Sequence, residues 1–293
     1  LASAQSLYGK VLLHRGKKTE AASMLKKVID AGDHQLTMLE NVFTEENEHD
    51  GENVFSVEFS NDATIGNGPN PWINDHANAS EGTLRPKFMG PPQGAAWEHS
   101  VPTQSLVDEF EDGDPRKTEF MFTDGDTHVD IKDAEGNPGG EWSSDKSKGS
   151  IPWGIKKGLK GPTQKAWPGG FGVNFPLIRY ADVLLMRAEC LAESDPATAK
   201  QLVNEVRERA WGDATHTVET LMADSGWTLM QAIKHERRVE LCFEGHRFVD
   251  LKRWGDAETV LGPLGYKSRH AKMPIPQVDL DVSDGKLKQN PGY

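Results

Sequence analysis

The sequence predicts a mainly α protein in which a tetratricopeptide-like helical scaffold carries a large irregular, loop-rich insertion with short strands. Three observations predict this class. Amphipathic helical patterns occupy both 1–45 and 176–255. The residues between them, 46–175, have sparse apolar periodicity and many Gly, Pro, Asn and Asp residues. Within that stretch, Asn53 to Phe59 alternates with period two, which indicates a strand.

The first segment, 1–45, is predicted to be a helical hairpin. Apolar residues recur at helical spacing between Leu1 and Leu12, and Gly16 interrupts the pattern. Thr19 can open a second helix, which is expected to end near Ala31 and Gly32. Two short helices joined by a tight turn are typical of a tetratricopeptide helix pair.

The middle segment, 46–175, is predicted to be the ligand-binding insertion. A short helix is expected from Gln104 to Glu111, followed by a turn at 112–115, and loops are expected at 69–75 and 90–94. Irregular stretches of this length are uncommon in compact domains and are more often functional than ornamental.

The scaffold is predicted to resume over 176–255. A wide apolar face runs from Leu177 to Leu191, a partner helix begins at Asp195-Pro196, and a third helix spans Thr228 to Phe243. Residues 256–293 are predicted to form an irregular tail. The third helix and the residues that follow it, from Glu236 to Arg253, carry charges of both signs. This pattern favours an ion-pair network over a catalytic carboxylate pair. Arg179 is interpreted as a structural anchor.

Composition limits the class of ligand. The formal net charge is −12, and an acidic surface repels the phosphates of nucleic acid. Neutral sugars, or neutral to cationic peptides, fit better. Cys190 and Cys242 lie in apolar helical stretches and are interpreted as buried thiols, with a disulfide between two helices left open. The chain begins at Leu1 without a signal peptide, so we expect any export signal or lipid anchor to lie upstream.

Tryptophan residues in the insertion are the candidate ligand contacts. Flat, rigid aromatic rings can pack against the apolar C–H faces of sugars, and Asn and Asp can bind the hydroxyl groups. Indoles on Gly- and Pro-rich loops have few core partners, which predicts surface exposure. The alternative for each indole is that it fills a small core beneath a loop. The predicted ligand-binding residues are Trp72, Trp97, Trp142, Trp153, Asn74 and Asp75.

No cofactor is predicted. The segment Asp124-Gly125-Asp126-Thr127-His128-Val129-Asp130 places oxygen ligands at alternate positions, as in part of a calcium loop. It lacks the full spacing and the terminal Glu of a helix–loop–helix calcium site, so a solvated acidic turn is favoured and calcium is left as the alternative. The scattered histidines show no spacing typical of metal ligands.

Four segments in this order resemble the SusD/RagB family. They are Val101 to Asp108 leading to Gly113 to Arg116, Phe175 to Glu189 (FPLIRYADVLLMRAE), His235 to Trp254 (HERRVELCFEGHRFVDLKRW), and Pro274 to Gln277 with Gln289 to Tyr293. The resemblance implies a lipid-anchored protein on the cell surface of Bacteroidota that sits over a SusC-like TonB-dependent transporter. It also implies that the insertion supplies the ligand-binding aromatic residues, here chiefly Trp72 and Trp97.

The leading hypothesis is therefore a non-enzymatic protein that captures oligo- or polysaccharide and delivers it to a SusC-like transporter at the external face of the outer membrane. A RagB-like protein that captures peptides is the alternative. A glycoside hydrolase is less favoured, because it needs two carboxylates at a defined separation and no motif supplies them. An ordinary tetratricopeptide adaptor is disfavoured by the long insertion.

Overall fold

The structure, a computed structural model, describes residues 1–49, 51–60, 83, 85–90, 97–126, 141–159 and 172–293. The chain divides into two compact units, Leu1–Glu244 and Gly245–Tyr293. The segment limits proposed from composition, at residues 45, 175 and 255, stay predictions. The helices of the described residues are α1 (Ala2–His14), α2 (Lys18–Ala31), α3 (Arg85–Met89), α4 (Gln104–Val107), α5 (Pro115–Phe120), α6 (Tyr180–Leu191), α7 (Pro196–Trp211), α8 (Val218–Ser225), α9 (Leu229–Glu240), α10 (Arg247–Trp254), α11 (Ala257–Leu261) and α12 (Gln277–Val282).

Helices α1 and α2 form the predicted hairpin. Gly16 adopts a positive φ of 73° between them, and Gly32 ends α2 in the left-handed region with φ of 69°. A Cβ atom at Gly9 would lie 2.7 Å from Cδ2 of Leu25. The two helices therefore pack closely because a glycine stands at their crossing, as a tetratricopeptide-like pair requires.

The main hydrophobic core surrounds α6. Ala181, Val183, Leu184 and Leu185 are fully buried there, together with apolar residues of α1, α2, α7, α8 and α9. Helix α7 begins at Pro196 with Asp195 as its N-cap, as predicted. The mainly helical class predicted from the sequence is confirmed.

One predicted boundary is wrong. A helix with Leu177 on its apolar face was predicted from residue 176, but Phe175–Arg179 forms strand β4 and the helix begins at Tyr180. Strand β4 pairs antiparallel with β1 (Asn53–Val57), with Asn53 opposite Arg179. Pairing with a distant strand provides backbone partners that the local apolar pattern could not reveal. The strand predicted at Asn53 to Phe59 is confirmed, in shorter form.

Short helices in the insertion and tail were missed. The predicted helix from Gln104 is only one turn long, and α5 follows it from Pro115, with the Asp114 side chain accepting a hydrogen bond from the Arg116 backbone. Strand β2 (Met121–Phe122) comes next and pairs with β3 (Gly154–Ile155). Helix α8 was also not predicted. Such elements have too few residues to show a periodic pattern.

The tail predicted to be irregular contains α11 and α12. Its last residues fold back on the same compact unit: Gln289 donates from Nε2 to the Ile275 carbonyl and accepts from the Ile275 amide, at 2.9 and 2.8 Å. The Tyr293 hydroxyl donates to the Lys272 carbonyl at 3.0 Å. The terminal segment Gln289 to Tyr293 thus has a structural role.

Helix α9 carries a buried ion-pair network. Its carboxylates Glu236 and Glu240 are fully buried. Arg179 binds Glu240 at 3.1 Å and Glu244 at 2.8 Å, and it also pairs with Glu52. Arg116 pairs with Glu236 and Glu240, and it donates bidentately to Asp114, from Nε to Oδ1 and from Nη2 to Oδ2. The network predicted from the charge pattern, and the anchoring role of Arg179, are confirmed.

The network fixes the ionisation of its members. Burial opposes the charge on Glu240, but Arg209, Arg179 and Arg116 outweigh it and lower its pKa to about 2. Burial also opposes the charge of Arg179, yet Glu244, Glu240 and Glu52 hold its pKa well above the usual value. The entrance to β1, helix α5 and the end of β4 are thereby all attached to α9.

Replacing Arg179 with Ala is expected to lower the free energy of unfolding by about 3–5 kcal/mol, because three carboxylates would keep buried charge without their guanidinium. The exposed pair Lys26–Asp30 of α2 provides the control: Lys26→Ala should cost less than about 1 kcal/mol. Urea unfolding of both variants measures the two effects. Equal, small losses would contradict the structural role assigned to Arg179.

Candidate ligand-binding face

The structure separates the predicted tryptophans. Trp97 and Trp153 are half-buried, whereas the Trp142 side chain is buried, at 1% exposure. Trp72, Asn74 and Asp75 lie outside the described residues, so their role as ligand contacts stays a prediction.

Trp97 belongs to an aromatic cluster that we define as Phe88, Trp97 and His99. The Trp97 ring meets Phe88 edge to face, with centroids 5.0 Å apart, and lies 5.6 Å from His99. Phe88 and His99 are 5.5 Å apart at 33°. His99 is exposed, and the other two rings are half-buried. The cluster therefore combines apolar ring surface with a hydrogen-bonding imidazole, the chemistry that a sugar requires.

Backbone contacts hold this cluster against the end of α3. The His99 amide donates to the Phe88 carbonyl at 2.7 Å, and the Glu98 amide donates to the Gly90 carbonyl at 3.1 Å. These two hydrogen bonds hold residues 97–99 beside the C-terminal end of α3, where Phe88 lies. The backbone of His99 is thus bonded directly to that of Phe88, and Trp97 precedes Glu98, which is bonded to Gly90.

Glu98 anchors the cluster from within. Its backbone has φ of 45°, an uncommon conformation for a residue other than glycine. Its side chain is 4% exposed, and its carboxylate accepts hydrogen bonds from the Ser147 hydroxyl at 2.8 Å and from the Lys148 amide. Strained backbone held by specific contacts occurs often at ligand sites. The inward turn of Glu98 separates Trp97 from His99 while both contact Phe88.

The expected exposure of Trp142 is wrong. Its indole packs with Phe122 and Leu159 in a small core, and a Cβ atom on Gly154 would lie 2.6 Å from its Nε1. The pairing of β2 with β3 closes this core, and only a glycine in β3 leaves room for the ring. Trp142 offers no ring face to a ligand in this arrangement.

Trp153 keeps part of its surface outside. It packs at the edge of a second core that includes Val107, Phe110 and Phe120. Lys117 places its Nζ 5.3 Å from the centre of the Trp153 ring. The indole is thus fixed on one side, next to a cation.

The acidic turn at Asp124 is held by local hydrogen bonds. Asp124 accepts from the Ser144 amide at 2.6 Å and from its hydroxyl at 2.9 Å, while Asp126 accepts from the Thr123 amide at 2.9 Å. His128 and Asp130 lie outside the described residues. In the part of the chain that the structure describes, no group of His, Cys, Asp or Glu could hold a metal ion. Calcium at this turn stays an untested alternative.

His235, which the sequence analysis did not single out, binds the acidic residues Glu109 and Glu111 that follow the aromatic cluster in the chain. His235 of α9 lies between Glu109, at 3.0 Å, and Glu111, at 3.4 Å, and is 3% exposed. Burial disfavours its charge, but hydrogen bonds to both carboxylates raise its pKa to about 9. Arg207 and Arg238 hold the same two carboxylates. Residues this far apart in the chain leave no local signal of their pairing.

The fold defines a mainly helical protein, and the chain belongs to the SusD family, whose sequence model matches residues 51–272. This confirms the resemblance found in the motifs. Two curated relatives are the SusD-like proteins P25 and P2 of Formosa agariphila, 40% and 34% identical over 130 and 134 residues. The matched parts cover 40% and 41% of this chain, but only 24% and 26% of those proteins.

Solved structures agree in fold. A laminarin-binding SusD-like protein superposes with a TM-score of 0.77 at 27% identity, over 100% of this chain and 62% of that one. Surface glycan-binding protein A from Bacteroides fluxus gives a TM-score of 0.72 at 24% identity, over 99% of this chain and 62% of its own. The chain thus spans less than two thirds of these neighbours.

Replacing Glu98 with Gln should release the aromatic cluster while the core stays folded, because the amide loses the charge that Ser147 and Lys148 bind. In a ¹H–¹⁵N NMR spectrum, the indole N–H signal of Trp97 reports on the aromatic cluster and that of Trp142 reports on the small core. The Trp97 signal should shift or broaden, and the Trp142 signal should stay. Asp145→Asn, at an exposed acid of the neighbouring loop, is the control. An unchanged Trp97 signal in Glu98→Gln would contradict the anchoring role.

Proposed function

We propose that this protein captures oligo- or polysaccharide at a bacterial cell surface and performs no chemistry on it. The observation that carries the proposal is the cluster of Phe88, Trp97 and His99, fixed by the buried Glu98. Membership of the SusD family supports it. So do the fold neighbours, which include a laminarin-binding SusD-like protein and surface glycan-binding protein A from Bacteroides thetaiotaomicron in complex with laminarihexaose.

Stacking on aromatic rings suits a capture protein. A ring pair in fixed geometry provides rigid apolar area and loses little side-chain entropy when a pyranose ring packs on it. The imidazole of His99 supplies a donor or acceptor for a hydroxyl group at the edge of that area. The arrangement binds a sugar but places no reactive pair around a glycosidic bond.

The carboxylates of α9 do not suit catalysis. A glycosidase needs a general acid with a raised pKa and a second carboxylate across an open cleft. Glu236 and Glu240 are buried against guanidinium groups, and the pKa of Glu240 is lowered to about 2. Burial raises the pKa of Glu48 to about 7, but its carboxylate accepts a hydrogen bond from the Asn174 amide beside β4. We therefore assign structural roles to all three.

Replacing Trp97 with Ala should weaken glycan binding by about tenfold or more, because the largest ring of the cluster is lost, and should leave the melting temperature nearly unchanged. Isothermal titration against a panel of polysaccharides measures the affinity of the wild-type protein and the variant. Trp254→Ala, which removes another half-buried indole outside the insertion, is the matched control and should retain full affinity.

Three results would count against glycan capture. The full-length protein could bind no glycan of the panel. It could instead retain members of a mixed peptide pool, which would favour the peptide-capturing alternative. Release of shorter sugars during incubation with labelled oligosaccharide would establish an enzyme.

We further propose that the captured glycan passes to a SusC-like TonB-dependent transporter, and that a lipid anchor upstream of Leu1 holds the protein on the outer membrane. Family membership supports this proposal. Among the described residues, no helix combines the length and apolar character needed to cross a bilayer. A tagged full-length protein, extracted from outer membranes in mild detergent, should co-purify with such a transporter. Its recovery alone, or in the periplasmic fraction, would contradict the assignment.

A further inference from the structure

Two lysines and one indole lie close to the segment where α5 leads into β2. We call this group the lysine corner: Lys117, Trp153 and Lys156. The Lys117 ammonium lies 5.3 Å from the Trp153 ring centre. Lys156 donates from Nζ to the Thr118 carbonyl at 3.0 Å, next to Lys117 in the chain. Lys117 therefore places a positive charge beside a half-buried indole, and Lys156 adds a second charge at the same end of α5.

The corner is built on fixed elements. Helix α5 begins at Pro115, between the buried Asp114 and Arg116, and the ion-pair network holds Arg116 against α9. Met121 pairs with Ile155 of β3, and Trp153 and Lys156 are the residues immediately before and after that strand. The Lys156 amide also donates to the Phe120 carbonyl at 3.0 Å. The positions of the three side chains thus follow from the hairpin and its attachment.

The two ammonium groups differ from their neighbour Lys157. Lys157 is buried and binds the Glu244 carboxylate at 2.6 Å. Across the described ranges, Lys117 contacts the Trp153 ring, Lys156 contacts the Thr118 carbonyl and the Phe122 ring, and neither pairs with a carboxylate. A half-exposed ammonium without a counter-charge can pair with an anion from solution.

We propose that the lysine corner binds an anionic substituent, a carboxylate or a sulfate ester, on the captured glycan. The indole would contact the sugar ring while Lys117 pairs with the anion. This inference rests on the proposed capture of glycans, and it changes the expected ligand from a neutral sugar to a glycan that carries sparse anionic groups. The net charge of −12 repels dense polyanions, but its long-range part is screened beyond about 8 Å at physiological salt.

The test uses Lys117→Met, which keeps the length and apolar stem of the side chain and removes its charge. Isothermal titration is performed with laminarihexaose as a neutral probe, a xylo-oligosaccharide with a single glucuronic acid branch as a carboxylated probe and a galactan oligosaccharide with a single sulfate ester as a sulfated probe. The wild-type protein should bind at least one charged probe, more weakly as salt rises. Lys117→Met should weaken that binding by about tenfold and change affinity for laminarihexaose less than twofold.

Matched variants separate the corner from general attraction to positive charge. Lys146→Met removes an exposed lysine elsewhere in the insertion and should leave all affinities unchanged, while Lys117→Arg should retain binding of the charged probe. The carboxylated and sulfated arms identify which anion is recognised. Binding of laminarihexaose alone, or equal affinities of wild-type protein and Lys117→Met for the charged probes, would overturn the inference and leave glycan capture standing. Failure of every probe would overturn both.

Discussion

The buried pairing of Arg116 and Arg179 with the carboxylates of α9 is the constraint on which the rest of the structure depends. Charges removed from water are costly unless each finds a partner in good geometry. Here the partners come from the entrance to β1, from α5 and from the end of β4. Those elements belong to the irregular part of the chain, whose apolar cores are smaller than the core around α6. The network therefore gives a loop-rich region defined positions relative to the helices of the same unit.

Local pattern was sufficient for the helical scaffold. Helices α1, α2, α6 and α7 each span several turns, so the spacing of their apolar residues is clear in the sequence. The charge pattern of α9 also pointed correctly to an ion-pair network. Strand β4 was misassigned because its partner, β1, is more than a hundred residues away. The pairing of His235 with Glu109 and Glu111 could not be predicted either, because these residues are also more than a hundred positions apart.

The candidate site was only partly accessible from the sequence. The occurrence of Trp97 on a Gly-rich loop drew attention to the right region, but its partners Phe88 and His99 carry no pattern of their own. Trp142, in a similar setting, proved to be interior, because a glycine in β3 makes room for its ring. Composition describes a loop equally well whether its indole faces inward or outward. The three-dimensional closure of the hairpin decides between these outcomes.

The burial of both thiols in the chain has a practical consequence. Cys190 and Cys242 are buried and form no disulfide, and burial raises the pKa of Cys242 to about 12. Because the thiolate is the reactive form, maleimide reagents at neutral pH would leave these positions untouched. A single cysteine introduced beside His99 would then be the one site to accept a dye, and arrival of a sugar at the neighbouring rings could be followed directly in the native background.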